Sequence, residues 1–205
     1  MNGERFTAAD LEPSDEEKLA QLRTNVDRIA ATLAVLAAGV WVGGMVALGA
    51  CAAPFVFRLT PAPYSGDAMG AAFARFDQIA LGAAVVLLGA EVARTWAARG
   101  RARQLAARIR RVAAVSIAGL ATYGGLLLTP QIIDLHRQGV QRGVGPQGAL
   151  LESIHHRAES VGKVETVLGV VLVALHVFTL PVRRPEDDDD DDAYATPLPP
   201  GPREG

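Results

Sequence analysis

Two glutamates and two histidines recur at helical spacing in Glu152-x-x-His155-His156-x-x-Glu159. Offsets of three, four and seven place Glu152, His155, His156 and Glu159 on one stripe of an α-helix, where imidazole and carboxylate could hold a divalent metal such as zinc, iron or copper. Glu-x-x-His pairs do this in dimetal helical bundles, but there another helix supplies a second pair, and this chain has none. The competing reading is a run of charged contacts among these residues and the neighbouring Arg157 and Lys163. His176 is a second candidate, set inside an apolar stretch. It could serve as an axial haem ligand or as a structural group turned inward to hydrogen-bond another helix. A haem would want a second axial ligand at similar depth, and no other histidine lies within an apolar stretch. A third set, Arg58, Asp77, Asp134 and His156, falls at the same ends of four apolar segments. These four are predicted to form one connected polar site suited to a cation or a polar headgroup, because a charge below the headgroups needs a partner or water. Glu91 and Arg94, one turn apart, read as a local ion pair. No nucleophile elbow, phosphate loop, Cys-x-x-Cys pair or His-Glu-x-x-His motif occurs. The sequence thus points away from a conventional enzyme and toward a small scaffold or transport-related protein that requires no cofactor, with a membrane redox protein binding a divalent metal or haem as the alternative.

The elements that must position these groups follow from how charge is sorted along the chain. The 205 residues are 50% hydrophobic and 20% charged, yet Ile29 to Phe57 and Val112 to Ile133 carry no formal charge. At 1.5 Å per helical residue, each run exceeds the roughly 30 Å of a bilayer's hydrocarbon core. Two weaker stretches complete a set of four spans, at about residues 29–57, 73–98, 110–133 and 158–182. The class expected is all-α: a polytopic four-helix membrane bundle, embedded in the lipid bilayer, of residues 29–184. A membrane barrel would alternate polar and apolar residues instead. Before the bundle, residues 1–28 form a polar segment with a short helix. Ser14-x-x-Glu17 is a capping box that should open this helix, and the acidic start is no cleavable signal. After it, residues 185–205 hold Asp187 to Asp192 and a proline-rich end, a cytoplasmic tail expected to be disordered. Thr60-Pro61-Ala62-Pro63 and Gly139 to Gly148 supply the breaks between helices, while Pro54 and Pro130 could end or kink a span and free carbonyls.

Orientation follows from lysine and arginine. Of the 20 basic residues, 14 fall in the N-terminal segment, the connection between spans two and three, and the C-terminal tail. By the positive-inside rule both termini are cytoplasmic, in the inner membrane of the cell. The arginine-rich connection lacks interleaved aromatics or a fold signature for nucleic acid, so no nucleic-acid partner is expected. Gly39-x-x-x-Gly43-x-x-x-Ala47 lets another helix approach closely, either within the chain or in a homo-oligomer through Gly39 and Gly43. Trp41 reads as core, and Cys51, the single cysteine, as a small packing residue.

Several of these residues also resemble a known family. Trp41-Val-Gly43-Gly44-Met45, Pro54-Phe55-Val56-Phe57-Arg58, Phe73, Tyr123 with Leu128-Thr129-Pro130-Gln131-Ile132, and His156 look like the transmembrane protein 205-like family, domain of unknown function 4149. The resemblance spans about residues 30 to 180. It implies a four-helix integral membrane protein and supplies no established activity. The family pattern continues after the histidine with a serine and an asparagine; this chain has Ser160, but Lys163 and Glu165 in place of a clear asparagine. More distantly, the tryptophan-glycine-glycine and proline pattern is similar to copper-resistance D-like membrane proteins, which would imply metal handling through histidines or methionines within the spans.

Overall fold

The computed structural model describes residues 13–61, 63–98 and 105–179. The aspartate run, the proline-rich end and the centre of the arginine-rich connection lie outside the described residues. Ser14 opens the first helix as its sequence requires. Its side-chain oxygen accepts from the Glu17 backbone N–H at 3.3 Å while the Glu17 carboxylate accepts from the Ser14 backbone N–H at 2.6 Å. From this cap α1 runs over Asp15–Val46, passes through a π-helical turn at Ala47–Ala52 and continues as α2, Ala53–Leu59. After a short break comes α3, Tyr64–Ala97. The third span is α4, Leu105–Tyr123, a second π-turn at Gly124–Leu128 and α5, Thr129–Arg137. Helix α6, Gly145–Phe178, closes the bundle.

These elements make four helical rods long and apolar enough to cross a membrane, so the chain is a multi-pass membrane protein. No strand occurs among the described residues. Each rod outruns the apolar segment inside it. The fourth starts at Gly145 rather than near residue 158, and at about 1.5 Å per residue its first four turns stand proud of the hydrocarbon core. Glu152, His155, His156 and Glu159 lie in that projecting part. The start of α1, the end of α3, the start of α4 and the end of α6 share one end of the bundle, the termini end; the opposite ends of these rods form the hairpin end. At the hairpin end, Gly139, Gly143 and Gly145 adopt φ of 74°, 76° and 67°, a left-handed backbone that side chains with a Cβ resist. There the Gly143 N–H donates to Gly148 O at 3.1 Å, folding the connection back onto the start of α6.

Neither Pro54 nor Pro130 ends a helix. A proline lacks an N–H, so the carbonyl one turn upstream loses its donor. The chain absorbs each loss in a π-turn, where Ala53 N–H donates to Leu48 O and Thr129 N–H to Gly124 O, five residues back. Packing is the reverse of a soluble protein. Ala30, Ala34, Ala38 and Trp41 of α1 face Ala80, Ala84 and Leu87 of α3, with Ala114, Ile117 and Leu172 from the other rods, while Ile29, Leu33, Leu36 and Val40 point outward. Lipid is as apolar as leucine, so large side chains gain nothing by turning in, and small ones let backbones approach. Gly44 lies against the Phe76 ring, and a Cβ on Gly162 or Gly169 would meet Met45 at 2.7 Å or Val42 at 2.5 Å. Gly39 and Gly43 instead face outward with nothing within 4 Å of a would-be Cβ. The expected small-residue seam is therefore not used within the chain.

Candidate functional site: two polar layers in the bundle

Toward the termini end, four ionisable side chains are almost wholly enclosed: Glu91, Arg94, Arg110 and His176. Arg110 Nε donates to Glu91 Oε1 at 2.6 Å, and Arg94 Nε to Asp27 Oδ1 at 2.9 Å. The second arginine also reaches His176, whose Nδ1 lies 2.8 Å from Arg94 Nη1. Arginine can only donate, so Nδ1 accepts and the ring proton is assigned to Nε2, which stands 3.3 Å from Glu91 Oε1 without hydrogen-bond alignment. Thr179 completes the layer, its hydroxyl accepting from Arg110 Nη1 at 3.0 Å and its carbonyl from Arg94 Nη2 at 3.3 Å.

This layer ties α1, α3, α4 and α6 together, and its two carboxylates match its two guanidinium groups. Glu91 and Arg94 are thus not the local pair expected from their one-turn spacing. Each reaches a different helix, because the turn that separates them aims both inward where longer-range partners wait. His176 is turned inward with one nitrogen against Arg94 and the other facing Glu91, and it is 0% exposed. Both ring nitrogens therefore face protein groups of this layer.

The second layer lies nearer the hairpin end. Asp77 on α3 is half-buried, and its Oδ2 accepts from the Thr129 hydroxyl at 2.6 Å, at the start of α5. Gly125, inside the second π-turn, makes room for it, since a Cβ there would stand 3.2 Å from the Asp77 Cβ. Glu165 on α6 is buried at 6% exposure. The Trp41 indole of α1 and the Asp77 carboxylate of α3 lie in its neighbourhood. Trp41 is 0% exposed, and its Nε1 makes no hydrogen bond of full geometry. Among the described residues no lysine, arginine or histidine pairs with Asp77 or Glu165.

Of Arg58, Asp77, Asp134 and His156, only Asp77 turns into the bundle. Arg58, Asp134 and His156 are exposed; Asp134 accepts from Gln138 Nε2 at 2.8 Å, one turn along its own helix. The four do not form one connected site. The expected metal stripe also divides. His156 Nε2 lies 3.0 Å from Glu152 Oε1 and its Nδ1 3.9 Å from Glu159 Oε2, and Glu159 accepts from Lys163 at 2.7 Å. Glu152 is further held by Arg142, with Nη2 to Oε1 at 2.9 Å. The Glu152 carboxyl, outside the apolar part of the helix, is lowered below its usual range by the hydrogen bond from Arg142, and the same bond raises the Arg142 guanidinium. His155 turns the other way: its Nδ1 lies 3.0 Å from Leu151 O, and its ring meets His136 edge-on with centroids 5.8 Å apart. Successive helical residues are rotated by about 100°, which sends His155 and His156 to different neighbours. No group of three or more His, Cys, Asp or Glu among the described residues is arranged to hold a metal ion.

The sequence did not single out Glu165 as a site residue, since Lys163 lies only two positions away. The signal was present in the same rotation, which sends the lysine outward and the glutamate inward. A family model for a domain of unknown function (DUF4149) matches residues 36–141. The chain belongs to that family. The DUF4149 match takes in Trp41, Asp77, both π-turns and Thr129, and it stops before α6 with Glu165 and His176. No curated protein and no solved structure matches the chain.

Proposed function

We propose that this DUF4149 protein is a transport-related membrane protein and not an enzyme, seated in the inner membrane with both termini in the cytoplasm. Its working site is the layer formed by Trp41, Asp77, Thr129 and Glu165. The observation that carries this reading is Glu165, a buried carboxylate on a membrane-crossing helix with no basic partner among the described residues. An intramembrane acid is costly to keep, and such groups mark ion and substrate pathways. Two π-turns, a feature frequent at functional sites, flank the layer and add local adaptability to the same level. The resemblance to transmembrane protein 205-like proteins belongs to this reading as far as architecture goes. The more distant likeness to copper-resistance D-like proteins finds no support in the side chains of the two layers.

A transport path requires water to reach the layer from one side. In a chain whose single cysteine is removed by Cys51→Ser, Val161→Cys beside Gly124 should react with a membrane-impermeant thiol reagent added at the hairpin side. Ile117→Cys, in the core, should not. If the substituted position 161 stays unlabelled from both sides while positions in the connections label normally, the bundle is closed and a passive scaffold is the better description.

A further inference from the structure

The two polar layers differ in one respect that chemistry must resolve. At the termini end Asp27 and Glu91 meet Arg94 and Arg110, so the enclosed charge is neutral as it stands. Around Glu165 no basic side chain among the described residues pairs with the charge. Its neighbours are the Trp41 indole of α1 and the Asp77 carboxylate of α3, and Asp77 accepts from the hydroxyl of Thr129. On its own helix Lys163 is exposed and bound to Glu159. An unpaired carboxylate in hydrocarbon costs several kcal/mol at least, and a second negative charge nearby adds to it. A bound multivalent metal would relieve this, but no third acidic, histidine or cysteine ligand joins the two among the described residues. Proton uptake relieves it with no further ligand.

We infer that Glu165 is a reversible proton-binding site, with Asp77 as its acidic neighbour and Thr129 as the residue that positions Asp77. This deepens the transport reading, on which it rests, by naming the proton as the species handled. The chemistry changes O–H bonds only. The Glu165 carboxylic acid gives its proton to water at the hairpin side, and the return step reverses this. The Trp41 N–H, buried and without another acceptor, is placed to stabilise the Glu165 carboxylate in the deprotonated half of the cycle. The Thr129 hydroxyl, donating to Asp77 Oδ2, holds that carboxylate in place beside the layer.

Infrared difference spectroscopy of the full-length protein in lipid nanodiscs, titrated over pH, tests this directly through the C=O stretch of a protonated carboxyl in an apolar environment. The wild type should show one such band that appears on acidification and is lost in Glu165→Gln. In Asp77→Asn the band should titrate at lower pH, because a neighbouring negative charge that favours the protonated form is gone. In Trp41→Phe the band should move in frequency, since the indole no longer faces the carboxyl. Should Glu165→Gln fail to fold, the Asp77→Asn and Trp41→Phe responses still decide the matter. Two results overturn the inference: a carboxyl spectrum that none of the three substitutions alters, or a band whose midpoint moves to markedly higher pH when sodium is exchanged for a bulky organic cation, which would show sodium competing for the carboxylate and make the site a sodium site. A titrating band with position 161 closed to thiol reagent would keep the proton site and discard transport.

Discussion

Arg110 and Arg94 each neutralise a carboxylate on another helix, so removing one strands a charge in a nearly dry layer. Breaking a buried pair from one side typically costs about 3–5 kcal/mol, whereas replacing both partners by uncharged groups of similar shape costs much less. Arg110→Met should therefore destabilise the detergent-solubilised protein by about 3 kcal/mol, and Glu91→Gln combined with Arg110→Met should recover a large part of that loss in an equilibrium unfolding measurement. Equal losses in single and double variants would show that the pair is not coupled. At the surface the Arg142–Glu152 pair behaves differently. The folded Glu152 carboxyl is held below its ordinary range, so its contribution is complete above that range and disappears as pH falls through the lower folded value. Amide exchange at residues 143–148 should rise only in that acid window, and Arg142→Ala should remove the step. The effect should be small and sensitive to salt, because exposed pairs contribute little. Which residues are ionisable was plain in the sequence, but their partners were not. Glu91 and Arg94 satisfied a local spacing rule that the tertiary structure overrides, and Glu165 differed from a headgroup residue only by its rotation about the helix axis.

Helix positions read well where apolar length marks them, and poorly where the question is which face turns inward. Lipid-facing and core-facing residues are both apolar, so no polar stripe distinguishes them as it would on a soluble helix. This is why Gly39 and Gly43 looked like a packing seam although Gly44, one residue on, is the glycine that meets Phe76. Side-chain size is the better guide: alanine prevails among the buried apolar residues, which include no valine. The distinction yields opposite expectations for the same substitution. Gly169→Leu must displace Val42 and should cost about 1–3 kcal/mol, in the range of overpacked cores. Gly39→Leu meets nothing within the chain and should change monomer stability by no more than a few tenths. Unfolding midpoints of the two variants in detergent check this, and cross-linking of Gly39→Leu in membranes shows separately whether Gly39 and Gly43 form a seam between copies. The prolines were legible as breaks, but the π-turns that keep both rods continuous were not, since the choice between a kink and a π-turn depends on the surrounding packing.

As a whole the molecule is a bundle with unequal ends, and that inequality fixes how it should sit in the membrane. Four spans were readable because an uncharged apolar run of bilayer length is seldom anything but a membrane crossing. The rods exceed their predicted spans because charged flanks stay helical outside the hydrocarbon, where hydropathy stops marking them. An even number of crossings puts both chain ends on one side, which leaves a single choice of direction. The connection between α3 and α4 and the flanks of the chain carry 14 of the 20 basic residues, and translocating such a connection is disfavoured by the rule that retains positive loops in the cytoplasm. At the termini end, Arg94 and Arg110 are absorbed by the inner ionic layer, but Arg108 and the arginines at 99, 101 and 103 remain as topological signal. Fusions at Gly205 to a reporter active only in the cytoplasm should be active, and at Gly145 inactive, with the complementary exterior-active reporter giving the reverse. Replacing Arg99, Arg101, Arg103 and Arg108 by glutamine should produce a mixed population if the connection sets the direction. Unchanged reporter activity in that variant would transfer the decision to the N-terminal segment, whereas cytoplasmic activity at Gly145 in the native chain would invert the bundle and move the Glu165 layer to the cytoplasmic half of the membrane.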